Sequence, residues 1–480
     1  MLMAVLLVGG QPGGSAPASE SATPQQWSVP SGAPPGVLSN VSCPTATRCF
    51  AVGRGNDGSP IASILIGHRW WPTRLGPRPG PPAVGRGYSL VDVSCGSASS
   101  CVAVGRYYDG SRWRPLVNAW AGVGWSLYRG PARVTDFSGV SCVSSTCFAI
   151  GSSSGRARVE MNAGAGWWHP TPLPRLALGA TRVLHGIDCV SATFCVAVGS
   201  ATPSGRLPQT LAMMWNGSAW SSAPRPRLPY SSRGALDAVS CVSPFSCFAV
   251  GVQDTRSLIE RWDGTRWSVV PSVDYWDKYF SNELTGVSCG SPVGCVAVGS
   301  AEADGIPFPG RHVDVLIETW NGTAWSLTTP PPQGDTGVNS LAGVSCTSEH
   351  CAAVGSYESS GAPTHSLALS GTVPPRAVPV TWSVADNARL LQIAAYLHES
   401  PTAAQKSAVY ALAYVLGFGS RRPTPLTLPS AGTAASYTTV WEPSELAAID
   451  SVRAQYTLDS GGATRVAVAF LSYVLALGGH

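Results

Sequence analysis

One phrase, spoken seven times, constrains this chain more than anything else in it. Its cleanest form runs from Leu284 to Gly299, LTGVSCGSPVGCVAVG, and related phrases start at Leu38, Leu90, Phe137, Leu184, Leu236 and Leu341. The first cysteines of the copies recur about every 50 residues, a period that marks a repeat architecture. Most of the 480 residues therefore belong to one repeating unit rather than to several unrelated domains.

All 14 cysteines fall inside the repeats, two in each. The pairs are Cys43/Cys49, Cys95/Cys101, Cys142/Cys147, Cys189/Cys195, Cys241/Cys247, Cys289/Cys295 and Cys346/Cys351. An even count at fixed local spacing reads as a disulfide framework made in an oxidising compartment. Metal is the rival reading, but zinc sites group closer cysteine pairs with further Cys or His, and no histidine recurs with this period. No metal or cofactor is expected. Each bridge would close a very short loop, contributing roughly 2 kcal/mol on a chain-entropy argument.

Within a copy, the segments LTGVSC and CVAVG are rich in β-branched residues and read as two strands joined by a short turn. A third and a fourth strand follow, as in LIERWDGTRWSVVP from Leu258 and LIETWNGTAWSLTTP from Leu316. Asn216-Gly217, Asp263-Gly264 and Asn321-Gly322 are dipeptides of tight hairpin turns, where both central residues take positive φ. Tryptophan pairs flank these turns, and cross-strand aromatic packing explains them better than ligand stacking does. Four antiparallel strands per copy, packed radially, give an all-β fold: a seven-bladed β-propeller with one disulfide per blade, over residues 19–375. QQWSVP at residues 25–30 reads as a stray fourth strand that completes the last blade, with Val380–Ser383 as the competing candidate.

The ends differ from the ring. Residues 1–18 resemble a signal peptide, with an apolar run and a small-x-small site at Ala16-Pro17-Ala18 but no positive leader; a disordered apolar tail is the other reading. From residue 386 to 480, Ala, Leu and Tyr recur at helical spacing, broken by a Pro, Thr and Ser linker from Arg421 to Thr439. This predicts a small C-terminal α-helical domain of two related helical hairpins, with docking of a partner as one role. Its apolar runs are too short for a transmembrane span.

The pattern Leu-x-x-Val-Ser-Cys, Cys-x-Ala-Val-Gly, Trp-Asn-Gly-x-x-Trp-Ser resembles a repeat of exported β-propeller proteins from high-GC Gram-positive bacteria. The scarcity of lysine, with only Lys278 and Lys406 among 31 basic residues, fits a GC-rich coding sequence. The resemblance covers residues 25 to about 373 and implies a secreted or cell-envelope propeller, with no catalytic residue carried over.

A net charge of +4 without a basic run does not point to nucleic acid. In a propeller, the turns within the first and second hairpins share one rim, and the remaining loops share the other. Here the first set is short and uniform and the second varies, so binding is expected on the variable rim. Its richest segments supply Tyr107, Tyr108, Asp109, Arg112 and Trp113; Tyr275, Trp276, Asp277 and Tyr279; and Arg311. Flat aromatic faces beside polar groups suit an extracellular glycan, a cell-wall component or a protein ligand. Coverage of the blade ends is the plainer explanation for the same rings. Binding without catalysis is favoured; the alternative is an extracellular polysaccharide hydrolase or lyase using carboxylates such as Glu302 and Asp304 at the propeller mouth.

Overall fold

The computed structural model describes residues 27–76, 87–164, 167–175, 180–224, 232–274, 281–291, 294–304, 311–331, 338–347, 350–358 and 364–372, and the backbone of 376–382 and 435–441. A short strand, β1 (Trp27–Ser28), precedes the first repeat, which forms β2 (Val37–Thr45), β3 (Arg48–Arg54), β4 (Pro60–Ile66) and β5 (Arg69–Pro72). The second forms β6 (Ser89–Ser97), β7 (Ser100–Tyr108), β8 (Trp113–Trp120) and β9 (Trp125–Arg129). The third forms β10 (Asp136–Val143), β11 (Thr146–Ser153), β12 (Arg156–Ala163) and β13 (His169–Pro170). The fourth forms β14 (Thr181–Ser191), β15 (Phe194–Thr202), β16 (Gln209–Trp215) and β17 (Trp220–Ser222). The fifth forms β18 (Gly234–Ser243), β19 (Ser246–Gln253), β20 (Arg256–Trp262) and β21 (Trp267–Val270). The sixth forms β22 (Ser281–Ser291), β23 (Gly294–Asp304), β24 (Arg311–Trp320) and β25 (Trp325–Leu327). The seventh forms β26 (Val338–Cys346), β27 (His350–Glu358) and β28 (His365–Thr372).

The fold is an all-β propeller, but its sheets do not number seven. Five repeats form separate four-stranded sheets, while the sixth and seventh share one eight-stranded sheet. The join is a single parallel pair, Val313 with Val338. It arises because β23 and β24 run 11 and 10 residues, so their hairpin reaches the start of the next inner strand. β1 pairs antiparallel with β28, Trp27 facing Gly371, so the last sheet holds strands from both ends of the repeat region. The first strands of successive repeats pack side by side from β2 to β26, and β26 packs back on β2.

The core lies between neighbouring sheets. Phe248, Val250 and Ile259 of the fifth repeat pack on Leu284, Val287, Trp320 and Trp325 of the sixth. Leu38, Val41 and Trp70 of the first pack on Ala352, Val354 and Ala368 of the seventh. Fully burying such aliphatic side chains stabilises by roughly 1.5–3 kcal/mol each. The tryptophan pairs belong to this core: Trp215 faces Trp220 across strands, and both are buried against Phe148 of the preceding repeat.

All seven cysteine pairs are bridged as the spacing predicts. The bonds join Cys43 to Cys49, Cys95 to Cys101, Cys142 to Cys147 and Cys189 to Cys195. They likewise join Cys241 to Cys247, Cys289 to Cys295 and Cys346 to Cys351. The glycine of each CxAVG also has a physical cause. Every inner strand bulges just after its leading apolar residue, as between Leu284 and Gly286, and a Cβ on the facing Gly299 would strike the carbonyl of Glu283.

The Asn-Gly turns differ from expectation. Gly217, Gly264 and Gly322 have positive φ, but Asn216, Asp263 and Asn321 do not. The loop has four residues, and the Asn216 Oδ1 accepts hydrogen bonds from the amides of Ser218 (3.0 Å) and Ala219 (2.9 Å). The side chain therefore closes the turn by an Asx bond, a role that Asp fills equally well.

Residues 1–18 and the helical segments from 386 onward lie outside the described residues. A strand β29 (Arg376–Trp382) pairs antiparallel with β30 (Ala435–Trp441). It takes in most of the Val380–Ser383 stretch, and β30 falls largely where the sequence reads as linker. Among the described residues, no helix is long and apolar enough to cross a membrane.

Candidate functional site

Two places draw chemistry together. The first is the central channel, a cavity of about 180 Å³ lined by the inner strands. Its wall follows from the repeat phrase itself. The serine of each Val-Ser-Cys accepts a hydrogen bond from the cysteine amide of the next repeat, and Ser42, Ser94, Ser141, Ser240 and Ser288 line the channel. Ser42 accepts from Cys95 (3.1 Å), Ser94 from Cys142 (2.9 Å) and Ser141 from Cys189 (3.0 Å). Ser240 accepts from Cys289 (3.0 Å), Ser288 from Cys346 (2.8 Å), and Ser345 from Cys43 (2.9 Å). The fourth repeat puts Asp188 in the serine position, and its Oδ2 accepts from Cys241 at 2.7 Å. Every junction between successive repeats is thus stitched by the same bond.

Four further departures from the repeat phrase, Asn40, Asp92, His185 and Asp237, line the channel. Asp92 accepts from Asn40 Nδ2 (2.6 Å), from its neighbour Val93 (2.8 Å) and from the Val140 amide (2.7 Å), so one carboxylate ties three repeats together. His185 and Asp237 are the bulge residues of the fourth and fifth repeats, and their Nδ1 and Oδ1 lie 2.7 Å apart. Burial pushes Asp92 up to about 7, against the pull of its hydrogen bonds, and Asp188 up to about 6 for the same reason. Both carboxyls keep some surface open to the channel, but protein surrounds them on every other side.

The second place is a ledge on the variable rim, built by the hairpin of β7 and β8. Tyr107, Tyr108 and Trp113 are not loop residues, as expected from sequence, but the last and first residues of these strands. Tyr108 faces Trp113 across the ladder, with ring centres 5.6 Å apart and edge to face. Arg106 lays its guanidinium 4.6 Å from the Trp113 ring centre. Tyr107 turns inward and stacks on buried Tyr88 at 5.7 Å.

Asp109 fixes the turn. Its Oδ1 accepts from the amides of Ser111 and Arg112, both at 2.9 Å, and its Oδ2 pairs with Arg114 at 2.6 Å. The Arg114 hydrogen bond, helped by the turn amides, holds its carboxyl well below the usual range. Arg112 is exposed and joins the network only through its backbone.

The other rim candidates are not brought together. Tyr275, Trp276, Asp277 and Tyr279 lie outside the described residues; Arg311 opens β24, facing Asp304 on the backbone ladder, with its side chain undescribed. Glu302 sits inside β23, facing Ser281, and is not among the residues that line the channel. The cysteines serve the frame rather than a binding surface. The second member of every pair is buried: Cys49, Cys101, Cys147, Cys195, Cys247, Cys295 and Cys351 all sit among core side chains. None of these sulfurs faces the channel or the ledge, because alternation along the strand points each one into the packing between sheets. The sequence did contain a signal for the channel. Asn40, Asp92, His185, Asp188 and Asp237 are the polar or charged departures at positions where most copies carry small or aliphatic residues or serine.

No family model matches the chain, and no curated protein is similar to it in sequence. Among solved structures, the WD40 β-propeller domain of Doa1 is 12% identical, with a TM-score of 0.43 over 72% of this chain and 96% of that one. The SapL1 lectin, in complex with α-methyl fucoside, is 13% identical with a TM-score of 0.39, over 63% and 98%. Sqt1 from Chaetomium thermophilum is 10% identical with a TM-score of 0.38, over 67% and 80%. These are resemblances in overall shape, and they assign no function.

Proposed function

We propose that this chain is a binding propeller of the secreted or cell-surface kind, framed by its seven stapled repeats. It would engage an extracellular glycan, a cell-wall component or a protein through the variable rim, and belong with the exported repeat proteins of high-GC Gram-positive bacteria that its phrase resembles. The observation that carries the binding role is the Tyr108–Trp113 ledge. Both rings are partly exposed, cross-strand packing fixes them, and the Asp109 turn holds them, so a ligand would meet a surface already ordered. Seven bridges and no free cysteine support residence in an oxidising compartment.

The hydrolase or lyase reading has weaker support. Asp92, Asp188 and Asp237 reach the channel, but the described residues that line it include no arginine to steady an acidic sugar. The deciding experiment is a screen of glycans and cell-wall fragments on the oxidised protein, repeated on Tyr108→Ala and Trp113→Ala. Each variant should bind at least about tenfold more weakly with its unfolding midpoint unchanged. Full affinity in both would overturn the assignment of the ledge.

A further inference from the structure

The cleft between the second and third repeats gathers positive charge on both of its walls. In the β7–β8 ladder Arg106 faces Pro115 and Tyr108 faces Trp113, so strand alternation sets Arg106, Tyr108 and Trp113 on one face of that hairpin. The same face carries Val104 and Val117 into packing against Phe137, Cys147 and Ala149 of the third repeat. Across the cleft, Arg158 faces Gly151 and Arg156 faces Ser153 in the β11–β12 ladder. Both share a side with Ala149 and look back at the second repeat, whereas Val159, beside Arg158, packs toward the fourth. The two rim ends thus form facing walls, one of aromatic rings with Arg106, the other of Arg156 and Arg158.

The carboxylates of these two repeats are already committed elsewhere. Buried Glu160 takes Arg133 through two nitrogens, at 2.9 Å from Nε and 2.7 Å from Nη2. Asp109 holds Arg114 at 2.6 Å, and Asp136 accepts from Ser152 Oγ at 2.8 Å. Arg106, Arg112, Arg156 and Arg158 are exposed, and among the described residues none of them forms an ion pair. Arg106 spends only the flat face of its guanidinium on Trp113, which leaves N–H donors around its edge. A carboxylate or a phosphate can take two such donors in parallel. Like charges on both walls repel, and an anion between them relieves that repulsion.

We propose that this cleft binds an acidic glycan, one whose sugars carry a carboxylate or a phosphate, with a sugar ring against Tyr108 and Trp113 and its charge between Arg106 and Arg158. The inference rests on the reading of the ledge as the binding surface and adds the charge of what it binds. The rings favour a sugar, whose C–H face lies against them while its anionic group reaches the arginines. An acidic peptide would use the charge and leave the rings idle.

The test is calorimetric titration of the full oxidised chain with oligogalacturonate, its neutral methyl ester, phosphorylated oligomannose, the same oligomannose without phosphate, and polyglutamate. At least one acidic sugar should bind about tenfold more tightly than its neutral counterpart, by an advantage that shrinks as salt is raised. Arg106→Gln and Arg158→Gln should each weaken the acidic sugar about tenfold and leave the neutral one unchanged. Arg69→Gln, which removes the same charge from the opposite rim, should change neither. The carboxylate and phosphate arms report which anion is taken. The proposal is overturned if neither acidic sugar binds, if polyglutamate binds more tightly than both, or if Arg69→Gln costs as much as Arg158→Gln. Equal binding of acidic and neutral forms also overturns it, and the ledge reading survives that result where Tyr108→Ala weakens both. Acidic binding that persists in Tyr108→Ala but falls in Arg106→Gln overturns the ledge reading, and with it this placement of the sugar.

Discussion

Ser345 accepts a hydrogen bond from the amide of Cys43, 302 residues away, at 2.9 Å. That bond fastens the last inner strand to the first, and six others of its kind fasten the remaining junctions. Ser345→Ala would leave the Cys43 amide without its acceptor, at a cost of about 1–3 kcal/mol. A lower denaturant midpoint with unchanged steepness would check this, measured with all bridges intact.

Asp92 gives the ring a particular pH dependence. Its pKa in the folded chain is about 7, above its ordinary 3.8. The folded state therefore holds this proton more tightly than the unfolded state does. The resulting stabilisation is complete below the ordinary value and is lost as pH rises through about 7. Asp188, raised to about 6, acts in the same direction over a narrower window. The chain should therefore be more stable at pH 5 than at pH 8, by up to about 1.4 kcal/mol per pH unit where one site titrates fully. Asp92→Asn should flatten that slope, and a slope unchanged by the substitution would show that other groups set it.

Tryptophans in this chain should divide by place rather than by type. Trp220 is 3% exposed and gives its Nε1 hydrogen to Thr171 of the preceding repeat at 3.0 Å, whereas Trp167 is 74% exposed. Trp220→Ala should cost about 3–5 kcal/mol through the cavity it leaves. Trp167→Ala should stay within about 0.5 kcal/mol. Urea unfolding of the two variants side by side measures the difference.

Asp109→Ala should loosen the ledge without touching the core. Loss of the turn amides' acceptor and of the Arg114 pair frees the Tyr108–Trp113 hairpin tip. Any ligand found for the rim should then bind more weakly, with faster amide exchange confined to residues 106–114 and the global unfolding midpoint held. Uniformly faster exchange across the second repeat would mean that the turn supports the sheet itself.

Much of this was written in the sequence. The repeat period, the cysteine pairs and the tryptophans are local patterns, and each depends on neighbours a few residues away, so spacing alone specified the bridged hairpins and their buried faces. The turn of the Asn-Gly loops was less legible, because a four-residue loop with an Asx bond and a two-residue turn begin with the same dipeptide. What only the tertiary structure decided lies between repeats. The serine of Val-Ser-Cys reads as filler until the next strand brings a cysteine amide to it. Asp92, His185 and Asp237 look like isolated drift until the closing of the ring sets them around one channel. Hydrogen bonds and burial across such distances depend on where the backbone returns, and no local spacing encodes that.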